Sequence, residues 1–144
     1  MNESVPDRLY IEEKDREECY DLLRKQKAFE DKENLDMFMT AMIIGYSNKS
    51  RLPIKKRENF ILTKYLSEDQ LYVIYAIAID ETGDLSILLD KKETYKIAEE
   101  YANSGVRMLK DMVMGEDPGS FVQKLEAIIF DSSKKIEKAV GDGK

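Results

Sequence analysis

The sequence predicts a mostly α-helical fold, a compact single-domain bundle of five or six helices over residues 1–144, with a minor extended segment near residues 60–62. Three observations predict it. Apolar side chains recur at three- and four-residue steps over 34–46, 91–114 and 118–140, the spacing that puts them on one helix face. Helix punctuation brackets the apolar run Leu71–Ile79: Ser67 with Gln70 has the form of a capping box, and Thr82-Gly83 is a stop. Asp90 with Glu93 repeats the acceptor pattern and opens the longest helix.

Residues 1–11 read as an N-terminal arm, because Val5-Pro6 disfavours helix and Leu9 and Ile11 stand at strand spacing. Asp15 opens a short helix to about residue 27, on whose apolar stripe Cys19 lies with Leu22 and Leu23. Nothing nearby stabilises a thiolate, so Cys19 reads as a small core residue. The helix over 34–46 carries Met37, Met39 and Met42 at core spacing. Pro53 then forces Leu52 out of helix, and Phe60-Ile61-Leu62 follow as the extended piece.

With apolar residues on both faces, the helix over 67–81 is expected to be the least exposed element, with Val73, Ile74, Ile77 and Ala78 buried. Asp84 caps a short turn through Leu89 that tucks Ile87 and Leu88 inward. In the long helix, Ala102 and Gly105 leave a shallow strip where another helix can approach closely. Pro118 suits the first turn of a last helix running to about Val140, and 141–144 read as a frayed tail.

Composition limits the chemistry. The chain has no histidine, which removes the commonest proton-transfer group near neutral pH and the commonest transition-metal ligand. One cysteine offers neither a disulfide nor a zinc site, and the seven glycines form no phosphate loop. Neither a signal peptide nor a span of about 20 apolar residues is present, so the expectation is a cytoplasmic protein without membrane contact. No catalytic residue, metal site or cofactor is expected, and the chain does not read as an enzyme.

Charge alternates along the sequence. Residues 1–36 carry −5, 37–66 carry +5, 67–118 carry −7 and 119–144 carry +1. The positive segment concentrates in Lys49, Arg51, Lys55, Lys56 and Arg57, around Pro53. Such a loop attracts phosphates or an acidic partner, or else neutralises acidic helices of its own domain. The pairs Asp80-Glu81 and Glu99-Glu100 diverge by about 100° on a helix and read as solvated faces rather than ion ligands.

Four blocks, in order, resemble a known family: Ala41-Met-Ile-Ile-Gly-Tyr46, Arg51-Leu-Pro-Ile-Lys55, Ile77-Ala-Ile-Asp-Glu-Thr-Gly-Asp84 and Glu99-Glu-Tyr-Ala-Asn-Ser-Gly105. The resemblance, over about residues 35–113, is to a small family associated with the Dnd DNA phosphorothioation system, a modification-and-restriction defence of bacteria and archaea. It implies a non-catalytic accessory protein whose partners are protein components of that system, and it leaves direct nucleic-acid contact open. Two alternatives stand beside it: a carboxylate/Mg²⁺ nuclease, and an acidic DNA mimic that inhibits a DNA-binding partner.

Overall fold

The computed structural model describes residues 5–115, 126–131 and 133–138. The fold is mostly helical with one small two-stranded sheet. Strand β1 (Arg8–Glu12) pairs antiparallel with β2 (Arg57–Leu62). A π-helical turn at Arg16–Tyr20 runs into the short helix α1 (Asp21–Arg24). Then come α2 (Asn34–Ser47), α3 (Glu68–Thr82) and the 25-residue α4 (Lys91–Gly115). Residues 126–131 and 133–138 are helical, while the expected start of that last helix at Pro118 and the tail 141–144 lie outside the described residues.

The local signals act as their chemistry dictates. Ser67 Oγ accepts from the Gln70 amide at 3.1 Å, and Gln70 Oε1 accepts from the Ser67 amide at 2.9 Å. Gly83 closes α3 with φ 69°, a conformation that strains any residue with a Cβ. Asp84 Oδ1 accepts from Ser86 N, so the chain makes a 3₁₀ turn at Leu85–Leu89, and Ile87 and Leu88 are half-buried. In β1, Leu9 and Ile11 point into the core, as their alternate spacing requires. The extended piece is longer than 60–62, and a register shift opposite Leu9/Tyr10 lets Phe60 pack its ring 4.5 Å from that of Tyr20.

The expectation that the 67–81 helix is the least exposed element is corrected. Ile74, Ile77 and Ala78 are buried, but Val73 is half-buried and Tyr72 is 61% exposed. The stretch buried on every side is the middle of α4, where residues 97–106 are buried without interruption. Small residues decide this. A Cβ on Gly105 would stand 1.7 Å from the Ala41 carbonyl oxygen, and one on Gly45 would stand 2.0 Å from that of Tyr101. The α2 and α4 backbones therefore touch, and the strip at Ala102 and Gly105 is where they cross. Met37, Met39 and Met42 are all buried in the single apolar cluster around this crossing, as their spacing indicated. Cys19 is buried too, and burial pushes its thiol up to about 11.

Candidate interaction site on the acidic helix

The loop that leaves α2 is laid along α4 and stitched to it. Lys49 adopts φ 53°, turning the chain, and Ser50 N donates to Gly45 O at 3.0 Å. Ser50 and Ser104 hydroxyls lie 2.6 Å apart. Leu52 N donates to Glu100 O at 3.1 Å, and Asn103 Nδ2 donates to Leu52 O at 2.9 Å. Downstream, the Lys55 and Lys56 amides donate to the two carboxylate oxygens of Glu12 at 2.9 and 2.8 Å. Burial would raise the Glu12 carboxyl, but these two N–H groups together with the Lys14 and Arg107 charges outweigh it and hold the group below its ordinary range.

The five cations do not form one patch. Arg51 reaches inward: its Nε and Nη2 donate to Glu100 Oε1 at 3.1 and 2.9 Å, and its Nη1 lies 3.6 Å from Glu81 Oε2. Arg57 lies 3.9 Å above the Tyr10 ring, with Nη2 3.9 Å from Glu99 Oε1. Lys56 pairs with Glu13 at 3.2 Å on the surface. Lys49 and Lys55 are exposed, and neither has an ion-pair partner among the described residues. The loop thus neutralises acidic groups of its own fold through its arginines and presents lysines to solvent.

Sequence reasoning missed the depth of the acidic pair. Glu99 and Glu100 were expected on solvated faces, yet they are only 5% and 7% exposed. The 100° divergence is real, but on a helix covered all round it aims the two side chains at different partners. Glu100 faces Arg51, whereas Glu99 turns to the sheet and accepts from the Tyr10 amide at 2.7 Å. Burial raises Glu99 to about 7, against the lowering pull of that amide and of Arg57. The signal was present in the +5 and −7 segments, whose charges meet here.

Beside Arg51 is a cleft of about 570 Å³ lined by Tyr46, Lys49, Arg51, Asp80, Glu81, Tyr101 and Lys135. Tyr46 Oη donates to Asp80 Oδ2 at 2.6 Å, and Tyr101 Oη donates to Glu81. Burial, and then each carboxylate, pushes both phenols far above their ordinary value, so both keep their protons near neutral pH. These carboxylates are taken up as acceptors. Among the described residues no three Cys, Asp or Glu side chains converge in a way that could hold a metal ion.

The model of one family, DNA sulphur modification system-associated protein 4, matches residues 12–140. The chain belongs to that family. The match takes in all five loop cations, the Asp80-Glu81 and Glu99-Glu100 pairs and both crossing glycines, so the stitched loop and its acidic helix are inside the family's span. The family is associated with a DNA sulphur modification system, the setting that the four sequence blocks imply. No curated protein and no solved structure matches the chain. No described helix is long and apolar enough to cross a membrane.

Proposed function

We propose that this chain is a non-catalytic accessory component of a DNA sulphur modification and restriction system, working through contacts with that system's proteins. Family membership is the observation that carries this reading. The local chemistry supports it: among the described residues, Glu100, Asp80 and Glu81 beside the loop are engaged by Arg51 and by the Tyr46 and Tyr101 hydroxyls. Lys49, Lys55 and Lys56 are the contact residues. Their backbone is fixed by α2, α4 and Glu12 while their ammonium groups face water, an arrangement suited to an acidic face of a partner protein.

Co-purification from the native host tests the proposal. A tagged chain should bring down a modification or restriction component, and Lys49→Glu, Lys55→Glu and Lys56→Glu together should abolish that recovery without changing the melting temperature. Exposed charges of this kind contribute under about 1 kcal/mol each to stability, so lost folding is not expected. Recovery of no such component would refute the proposal. Divalent-dependent DNA cleavage abolished by one Asp or Glu substitution would establish the nuclease alternative instead.

A further inference from the structure

A second feature lies where the end of the loop, at Ile54 and Arg57, meets the first turns of α4. A cup of about 210 Å³ opens between β1, β2 and the first turns of α4, with room for several water molecules at about 30 Å³ each. Its polar lining is mostly cationic: Arg8, Arg57, Lys92 and Lys96, against Glu99 and Glu100. Glu100 is already committed to Arg51. Lys92 and Lys96, one turn apart on α4, are exposed and have no ion-pair partner among the described residues. The pair Arg8–Asp7 is long, at 3.9 Å, and Asp7 is itself largely in solvent. Glu99 is buried in the lining, and among the described residues its Oε1 makes no hydrogen bond, only the long 3.9 Å approach of Arg57 Nη2.

We propose that this cup binds a phosphate group, held by Arg8, Arg57, Lys92 and Lys96, with Glu99 as a hydrogen-bond donor beneath it. Four cations exceed what a singly charged carboxylate needs, and two guanidinium forks match the several acceptor oxygens of a tetrahedral oxyanion. As a carboxylate Glu99 would repel the ligand, but a protonated side chain offers an O–H from Oε1 while Oε2 keeps its bond from Tyr10 N. Tyr10 on β1, Arg57 on β2 and Glu100 on α4 act on Glu99 directly, and Arg8 on β1 with Lys92, Tyr95 and Lys96 on α4 line the cup with it. Burial holds Glu99 near 7, so binding draws a proton onto it, and the contribution of Glu99 to binding weakens as pH rises from 6 to 8. Lys49, Lys55 and Lys56 do not line the cup, although Arg57 and Ile54 of the same loop do.

The phosphate has two sources, a free phosphorylated small molecule or a nucleic-acid backbone, and two probes distinguish them. Inorganic phosphate is titrated into the protein with amide resonances followed by NMR, and a short DNA duplex is titrated at increasing salt. Lys92→Glu with Lys96→Glu should weaken whichever probe binds by about tenfold or more, by removing two attractive charges and adding two repulsive ones. Lys92→Gln with Lys96→Gln gives a smaller loss in the same direction should charge reversal disturb the helix. Phosphate shifts centred on residues 8, 57, 92 and 96 identify a small-molecule site. Duplex binding alone, with its log–log salt slope reduced by about two in the double variant, identifies a backbone contact. For Glu99→Gln, the ratio of variant to wild-type affinity should be near one at pH 6 and rise several-fold by pH 8, a ratio that cancels the ligand's own ionisation. No binding of either probe at low salt, or equal binding by wild type and a folded Lys92/Lys96 variant, would overturn the proposal.

Discussion

Glu99→Gln should make the protein more stable, and only at the alkaline end of the range. Glu99 is buried, and its carboxyl sits at about 7 rather than at 4.5. The folded state therefore holds a proton that the unfolded chain has released. Because the native state binds more protons between these values, stability falls as pH rises from 4.5 to about 7. The gap between 4.5 and about 7, at about 1.4 kcal/mol per pH unit, amounts to about 3 kcal/mol, borne in full above pH 7 and absent below 4.5. Glutamine carries no charge, and its carbonyl oxygen can still accept from Tyr10 N. The difference between variant and wild type should thus be near zero at pH 4.5 and grow to about 3 kcal/mol at pH 8. Glu12, held below its ordinary range, loses stability as pH falls, but it does so in both proteins and cancels. Urea unfolding at four pH values from 4.5 to 8 measures this. Parallel stability curves for the two proteins would refute the assignment of the titration to Glu99.

Gly105→Ala, a change that favours an exposed helix by about 1 kcal/mol, should here lower stability by 3 kcal/mol or about that, because its Cβ meets the Ala41 carbonyl at 1.7 Å; a thermal melt within about 2 °C of wild type would contradict the backbone crossing. Arg51→Ala should lower stability by about 2 kcal/mol by leaving the buried Glu100 carboxylate without its cation, with a corresponding drop in denaturant midpoint, whereas Lys49→Ala should move that midpoint little. Cys19, buried with its thiol raised to about 11, should resist thiol reagents in the native protein at pH 8 and react on unfolding; fast labelling of the folded chain would show the site to be open.

The parts of this fold that could be read from sequence are those whose causes are local. The Ser67 box, the Gly83 stop and the Asp84 turn each depend on a few neighbouring residues, and each forms as its chemistry requires. The centrality of α4 was hidden because it depends on two glycines far apart in the chain meeting each other, Gly45 and Gly105. Hydrophobicity alone favoured Leu71–Ile79, yet Tyr72 keeps its ring largely in water while the charged pair Glu99-Glu100 lies inside. An acidic pair is normally read as exposed because burying a carboxylate is costly unless partners meet it. Those partners, Arg51 and the Tyr10 amide, come from segments that local periodicity does not connect to α4. For this pair the alternation of net charge was the long-range clue, and it indicated which segments meet without indicating how deep they sit.

The crossing of α2 and α4 also bears on how the chain reaches its native state. Gly45 and Gly105 are sixty positions apart, so their contact closes a long loop that includes β2 and α3. Closing sixty residues carries an entropic penalty of about 3–4 kcal/mol, and no short-range contact offsets it beforehand. The helices on either side are therefore expected to form early and separately, and the slow event is their encounter. Since backbones touch there, a partly aligned encounter gains little: the pair must arrive in register before Ala41 and Tyr101 carbonyls find room beside the glycines. Folding speed is thus expected to be set by the meeting of these two helices, and lengthening the 48–56 connection should slow it only logarithmically.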